Sequence, residues 1–152
     1  MKTKGFTLVE LLVVIAILAI LATVSVVGYT QYIQNADTAV AKEDLVQART
    51  AVMAADINNN SFTLGTESLV WTVAKADAVD AAKAMEYVNA QLKSVAGLPG
   101  SFAVNTTTTT VEAINDAEGT QTGWKVTVKS VAYTTESGNG TATWTISGNK
   151  IQ

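Results

Sequence analysis

An uncharged apolar run near the N-terminus constrains this 152-residue chain more than any other feature. No charged residue occurs in residues 11–36, and residues 11–22 (LLVVIAILAILA) form one unbroken aliphatic stretch. A helix rises about 1.5 Å per residue, so about 20 apolar residues cross the hydrocarbon layer of a membrane. Residues 7–28 supply that length. The sequence therefore predicts a membrane-spanning helix at the N-terminus.

The positive charges around this run predict its orientation. Lys2 and Lys4 precede it, and the next positive charge along the chain is Lys42. Lysine and arginine accumulate on the cytoplasmic side of a membrane segment. We therefore expect the precursor in the cytoplasmic membrane with its N-terminus inside, and the chain after about Tyr29 outside.

Composition excludes several classes of function. The chain has no Cys and no His, which removes disulfides, thiol nucleophiles, imidazole bases and the usual zinc or haem ligands. Its formal net charge of −3 argues against direct nucleic-acid binding. We expect no enzyme, no metal and no cofactor.

Glu10 stands at the start of the apolar run, where a carboxylate is unfavourable. Carrying it toward the membrane centre costs on the order of 2.5 kcal/mol or more. This counts against an ordinary secretory signal, which Lys2, Lys4 and the apolar run would otherwise fit. On the far side of Glu10 no cation of the chain lies close enough, so Glu10 is expected to find its partner at an N-terminus or in another molecule. The alternative is an exposed residue at the headgroup boundary, favoured by the helix dipole.

Residues 4–10 (KGFTLVE), followed at once by the aliphatic run, resemble the processing motif of type IV pilins and pseudopilins. The resemblance implies cleavage after Gly5 by a prepilin peptidase and N-methylation of the new first residue, Phe6. It also implies that Glu10 pairs with the Phe6 amine of a neighbouring subunit during assembly. Loss of Lys2 and Lys4 would change the net charge from −3 to −5.

The pattern after the membrane segment predicts an α+β fold. Residues 1–5 would be the leader, 6–57 one long helix and 58–152 a globular head. The helix would be about 78 Å long, so its first half must protrude while its second half packs under the head. Apolar residues at steps of three or four positions, with one longer step, mark the face to be buried: Ile33, Ala36, Val40, Leu45, Ala48, Val52 and Ala55.

The head is predicted to hold one more helix and a small antiparallel sheet. The helix spans residues 77–96, with Gly97 as its C-terminal cap. Strands are expected within residues 102–147, at 102–104 and 107–114 and as a hairpin of 124–128 with 142–146. One sheet of three or four strands would pack on the long helix, with Trp124 and Trp144 filling the interface.

Two other kinds of site have weak signals. Residues 56–61 with Glu67 have the spacing of a calcium loop, but Ser61 stands where the sharp turn needs glycine. A turn that ends the helix is the simpler interpretation. The carboxylate pairs Asp77 with Asp80 and Asp116 with Glu118 are expected to be solvated surface rather than an acid–base site.

These observations predict a structural protein, the subunit of a type IV pilus that assembles as a homopolymer. Its partners would be the prepilin peptidase and, indirectly, a membrane assembly platform and ATPase. A pseudopilin of type II secretion or competence is the alternative, although many such proteins have a proline where this chain has Val26, Val27 and Gly28. A monomeric, membrane-anchored binding module is a second alternative. A major pilin is the preferred interpretation, with the head in an extracellular filament.

Overall fold

The computed structural model describes residues 5–58 and 62–152 and has an α+β fold. Its regular elements in chain order are α1 (Leu8–Asn58), β1 (Phe62–Leu64), β2 (Leu69–Ala74), α2 (Ala81–Ala96), β3 (Ser101–Val104), β4 (Thr110–Asn115), β5 (Gln121–Val128), β6 (Ser130–Thr134), β7 (Thr141–Thr145), a short 3-10 turn (Ser147–Asn149) and β8 (Lys150–Ile151). The prediction of a long N-terminal helix, one further helix and antiparallel strands is confirmed.

The chain divides into two compact units, which we call the N-terminal unit (Met1–Ala36) and the C-terminal unit (Asp37–Gln152). The described part of the N-terminal unit is almost entirely the first portion of α1. This portion remains helical through Gly28, as expected in the absence of proline. Its apolar side chains are exposed on all sides, from Leu8 at 78% to Val27 at 58%.

By length and composition α1 qualifies as a membrane span. The most apolar 18-residue window has a mean hydropathy of 3.0, and none of it is buried within the protein. Hydroxyl side chains within it bond back to the helix: Thr23 donates to the Ile20 carbonyl at 2.7 Å, and Ser25 to the Leu21 carbonyl at 2.8 Å. These bonds satisfy polar groups that a hydrocarbon environment would leave without partners.

In the C-terminal unit, α1 contributes one buried stripe to the core. Its members recur every three or four residues and are Ala41, Leu45, Ala48 and Val52. Three positions of the predicted face are buried, and two, Ile33 and Ala55, are partly buried. The prediction is wrong at Ala36, which is exposed, and at Val40, which is 49% exposed. The physical reason is the helical period. One turn before Leu45 lies Ala41, and Val40 points well away from that stripe.

The strands form two antiparallel sheets rather than the single sheet predicted. The first has the order β1-β2-β5-β4, and the second has the order β3-β6-β7-β8. The predicted hairpin of residues 124–128 with 142–146 is wrong, because β5 pairs with β2 and β4 while β7 pairs with β6 and β8. Only Lys129 separates β5 from β6, so the chain passes from one sheet to the other at that residue.

Helix α2 is delimited by its caps. The Asp80 side chain accepts a hydrogen bond from the Lys83 amide at 2.8 Å, so the helix begins at Ala81 and not at Asp77. At the other end Gly97 adopts φ 65° and ψ 20°, and its N–H donates to the Lys93 carbonyl. The predicted C-terminal cap is confirmed, and it requires the left-handed conformation that glycine adopts without strain.

Large aromatic side chains fill the core of the C-terminal unit. Trp144 is 1% exposed, as predicted. Trp124 is only partly buried, and its indole N–H donates to the Ala78 carbonyl at 2.9 Å. Trp71 on β2, for which no role was predicted, is also 1% exposed and packs on Phe62 with ring centroids 4.8 Å apart. Strands were predicted only within residues 102–147, so β1, β2 and this aromatic pair were not predicted.

A polar link fastens α1 to the second sheet. The Tyr133 hydroxyl donates to Asp44 Oδ2 at 3.0 Å. Burial raises the pKa of the Tyr133 hydroxyl above its ordinary value, and the hydrogen bond to the Asp44 carboxylate raises that pKa further. The side chain of Tyr133 therefore serves both as core packing and as a hydrogen-bonded contact with the helix.

The turn between β6 and β7 also packs directly on α1. Ser137 Oγ donates to Asp37 Oδ2 at 3.2 Å. Gly140 lies so close to the Asp37 carbonyl oxygen that an added Cβ would collide with it. The glycine is needed here because the backbone of the turn and the backbone of the helix come into contact.

Candidate functional site

The candidate site at the start of α1 is organised by a reciprocal pair of hydrogen bonds. Thr7 precedes the first helical residue, Leu8, and Glu10 lies three positions after Thr7. The Thr7 backbone N–H and the Thr7 hydroxyl both donate to Glu10 Oε2, each at 2.9 Å. The Glu10 backbone N–H points back to Thr7 Oγ1 at 3.3 Å. This arrangement is a capping box, which satisfies backbone donors that a helix N-terminus otherwise leaves unpaired.

The expected cationic partner of Glu10 stays a prediction, and the two Thr7 contacts are additional to it. Thr7 provides two neutral donors within the same chain, although it provides no positive charge. Both donors bind the same oxygen, and Glu10 Oε1 accepts no hydrogen bond from residues 5–58 or 62–152. The carboxylate thus retains its negative charge and has one oxygen available for a further donor.

The signal for this contact was present in the sequence. A threonine followed three positions later by glutamate, just before an apolar run, is the capping-box pattern. Sequence analysis considered Glu10 as an isolated charge and did not single out Thr7.

The residues around the expected cleavage point are open to solvent. Phe6 is 84% exposed, and a Cβ added to Gly5 would meet nothing within 4 Å. Neither residue is held by packing within the described protein. Lys2 and Lys4 lie outside the described residues.

Residues 1–26 match a known sequence family, the prokaryotic N-terminal methylation motif. The N-terminal segment of the chain therefore carries the motif of type IV prepilin-like proteins. This motif marks structural pilin-type proteins rather than an enzyme family. The matched residues include Gly5, Phe6, Thr7 and Glu10 and end before Val27, so the C-terminal unit is not covered.

Beyond this motif, no related protein is found for the chain. Neither the curated proteins nor the solved structures give a significant match. The motif and the apolar helix together fit a membrane-anchored precursor.

The calcium-loop candidate falls largely on residues that the structure does not describe. Residues 59–61 lie outside the described ranges, and the side chains of residues 56–58 are likewise not described. Glu67 is exposed in the loop before β2. Within the described residues, no group of three or more acidic side chains is placed to hold a metal ion.

In each candidate carboxylate pair, one aspartate makes a hydrogen bond that stabilises the local backbone. Asp80 caps α2, while Asp77 lies in the preceding loop. Asp116 Oδ1 accepts the backbone N–H groups of Glu118 at 3.1 Å and Thr120 at 2.7 Å. Asp80 and Asp116 therefore stabilise a helix end and a turn, respectively.

Proposed function

We propose that this chain is the precursor of a major type IV pilus subunit, which polymerises through the apolar portion of α1. The observation that supports the proposal most directly is the methylation motif over residues 1–26 together with the exposed apolar side chains of α1 from Leu8 to Val27. A surface of this kind is stable in water only if lipid or other protein covers it. In the proposed filament the same portion of neighbouring subunits provides that cover.

Processing would remove residues 1–5 and expose the amine of Phe6 for methylation. The exposure of Phe6 is compatible with access by a membrane peptidase. The chain itself gives no steric reason for glycine at position 5, because a Cβ there would meet nothing within 4 Å. A requirement for Gly5 would therefore come from the peptidase and not from the fold.

The proposed assembly contact joins Glu10 of one subunit to the Phe6 amine of the next. A carboxylate in a low-dielectric environment is tolerated when it is paired and hydrogen-bonded. Glu10 has its in-chain donors on Oε2, and the ammonium group would supply the missing positive charge. Because only one axial stagger places the two groups together, the pair would fix the register between subunits.

The driving force for polymerisation would be packing of the aliphatic side chains in residues 11–27. Within lipid this packing rests on van der Waals contact and on lipid entropy, and outside lipid the hydrophobic effect adds to it. We propose the cytoplasmic membrane as the location of the precursor and the cell surface as the location of the filament. The prepilin peptidase would be a direct partner, whereas a membrane assembly platform and an ATPase would act during polymerisation.

A pseudopilin of type II secretion or competence is the second candidate, because the same motif marks that class. The continuous helix through Val26, Val27 and Gly28 favours the pilus subunit, since many secretion pseudopilins have a proline in this region. Purification of surface filaments followed by mass spectrometry separates the candidates. A pilus subunit is expected as the main component of long filaments, and its absence from them would contradict the proposal.

Processing is tested by the N-terminal sequence of the protein recovered from membranes and filaments. The expected first residue is N-methylated Phe6. An intact Met1 would instead indicate an unprocessed anchor, and a first residue at position 23 would indicate an ordinary secretory signal.

Assembly is tested by Glu10→Ala, with Glu43→Ala as a matched control. Glu43 is an exposed acidic residue on the same helix, within the C-terminal unit. Glu10→Ala is expected to leave cleavage intact and to reduce filament yield about a hundredfold or more, because a buried ammonium left without its partner costs about 3–5 kcal/mol. Filaments of normal abundance from Glu10→Ala would remove the proposed contact.

A further inference from the structure

The outer strands of the two sheets differ in how well their edges are protected. The first sheet ends at β1 and β4, and the second ends at β3 and β8. β1 has three residues and β8 has two. β3 is covered from the side, since its Val104 N–H donates to Asn89 Oδ1 of α2 at 2.8 Å. β4 has six residues, none of them buried, and is the longest open edge in the described part of the chain.

The backbone direction of β4 follows from its neighbour β5. In an antiparallel sheet the N–H and C=O groups of one residue point to the same side, and successive residues alternate. The Thr122 carbonyl accepts from the Lys75 N–H at 3.0 Å, so Thr122 faces the side of β2. Lys125, three positions later, therefore faces β4, where its partner is Glu112. Glu112 bonds to β5, and its two neighbours in β4 face outward.

These outward-facing neighbours are Val111 and Ala113. Within residues 5–58 and 62–152, no hydrogen bond reaches their outward backbone groups. The register with β5 is regular across both residues and shifts only at the end of the strand. β4 contains neither proline nor lysine, the residues that commonly protect an edge. An edge of this kind is a template for a further strand.

A second copy of β4 is the strand that matches this edge. A partner strand has to present an open edge of similar length, and in the described ranges β1, β3 and β8 do not. β4 also consists largely of residues that suit a pleated strand, since Thr110, Val111 and Ile114 are β-branched. Two copies can run antiparallel and bond through the same outward-facing residues.

The charge of Glu112 selects the register of such a pair. With Val111 opposite Val111, each Glu112 lies opposite Thr110 of the other copy, and two β-branched side chains meet at the centre. With Val111 opposite Ala113, the two Glu112 carboxylates would oppose each other, which is destabilising. A register centred on Ala113 would place Glu112 against the apolar Ile114. The first register is therefore favoured.

Symmetry determines which copies can pair in this way. Two identical strands that pair antiparallel are exchanged by a two-fold axis. Neighbours within one filament are related by a rotation combined with a rise along the axis, so no two-fold exchanges them. The contact therefore joins copies in two different filaments. One strand pair is smaller than the roughly 1,000 Å² of a stable interface, but repetition along two filaments multiplies its strength.

We propose that β4 is a pairing surface through which two filaments of this chain associate side by side, with Val111 opposite Val111 at the two-fold axis. The inference rests on the proposed function, because only a filament presents many copies of β4 at once. It assigns the recognition to main-chain hydrogen bonds along one strand rather than to a pocket or a charged patch.

The first test blocks the edge without disturbing β5. Ala113→Pro removes an outward N–H, so it leaves the bonds to β5 in place and prevents a second strand from pairing. Ala113→Lys keeps the N–H and places a charge on the edge. Filaments are purified from the native host, and the bundled fraction is measured by low-speed centrifugation and electron microscopy. Both variants are expected to lower that fraction about tenfold or more, with total filament yield within about twofold. Ala113→Thr is the matched control and should bundle normally.

The second test reads the register. The sequence has no Cys, so one introduced cysteine reports one contact. Cα atoms of a hydrogen-bonded antiparallel pair lie about 5.5 Å apart, within the range of a disulfide. Bundled filaments of Val111→Cys, oxidised with copper phenanthroline, are expected to give a disulfide-linked dimer. Ala113→Cys is the matched control and should give none, because the two copies of that residue would be about 13 Å apart along the strands.

Every other result decides against the inference or against its basis. Normal bundling by Ala113→Pro and Ala113→Lys, an equal loss in Ala113→Thr, or no dimer from Val111→Cys would overturn it. A dimer from Ala113→Cys, or one from Val111→Cys in filaments dispersed before oxidation, would also overturn it. Filaments of the unaltered chain that stay separate would refute the pairing of β4 and leave the proposed function intact. Absence of any filament would instead refute the proposed function.

Discussion

The same helix, α1, behaves differently in the two units of the molecule. From Leu8 to Val27 its apolar side chains are exposed around the whole circumference, and beyond Asp37 a single stripe centred on Leu45 and Ala48 is buried. The difference comes from the sequence pattern. An aliphatic residue at nearly every position cannot be covered by one partner on one side, whereas an amphipathic stripe can. The first portion therefore needs an environment that surrounds it, and the second needs only its own domain.

The largest expected effect concerns the buried stripe. Leu45→Ala should lower the free energy of unfolding of the C-terminal unit by about 2–5 kcal/mol, because it removes contacts and leaves a cavity in a close-packed core. Leu45 has no exposed surface. Denaturant unfolding monitored by tryptophan fluorescence measures the change.

Val46→Ala is the matched control for Leu45→Ala, since Val46 is the next residue on the same helix and is 42% exposed. Its expected effect is below about 1 kcal/mol. Similar losses of stability in the two variants would mean that the stripe is not the part of α1 that the C-terminal unit uses.

The second effect concerns the exposed portion. Leu18→Asp places a charge near the middle of the apolar segment, where an aspartate costs about 2.5–3.5 kcal/mol of insertion free energy. Retention of the precursor in the membrane after alkaline extraction should fall, while unfolding of the C-terminal unit should be unchanged. Leu18→Ala is the control and should remain in the membrane. Destabilisation of the C-terminal unit by Leu18→Asp would contradict the division into two units.

The third effect concerns the polar link between α1 and the second sheet. Tyr133→Phe keeps the ring and removes the hydroxyl that donates to Asp44. The expected loss is about 1–3 kcal/mol in the unfolding free energy, because a half-buried carboxylate loses its hydrogen-bond donor. Thr143→Val, on a neighbouring strand and only partly buried, is a suitable control. An unfolding free energy unchanged by Tyr133→Phe would show that the link contributes nothing net.

The sequence predicted where helices and strands lie better than it predicted which strands pair with each other. The apolar spacing and Gly97 were enough to predict α2 and its C-terminal end, because helix formation and capping depend on residues close in the chain. The pairing of β5 was predicted wrongly. Alternation at Trp124 and Val126 shows that a strand is present but does not state which strand lies beside it, since pairing depends on residues far apart in the sequence.

At the candidate site, too, contacts between residues close in the sequence could be predicted more directly than contacts with another molecule. The hydrogen bonds between Thr7 and Glu10 span three residues and follow from a recognisable local pattern. The pairing of Glu10 with Phe6 involves a second molecule, and it came from the resemblance of residues 4–10 to a known motif. Neither kind of reasoning predicts what the exposed surface of the C-terminal unit contacts, since no local rule links its residues to a partner.

The smallest expected effect is a dependence on pH that belongs to the C-terminal unit alone. The pKa of the Tyr133 hydroxyl is raised in the folded protein, first by burial and then by the hydrogen bond to Asp44. The folded state therefore holds this proton more tightly than the unfolded state, whose tyrosine titrates near pH 10. The resulting stability is fully present below about pH 10 and is lost as the pH rises through the higher pKa of the folded state.

The free energy of unfolding, measured between about pH 8 and pH 11, should fall more steeply in the unaltered chain than in Tyr133→Phe. Parallel curves would mean that the hydroxyl has the same proton affinity in the folded and unfolded states. Leu18→Ala should leave the curve of the unaltered chain unchanged, because no titrating group of the exposed portion takes part.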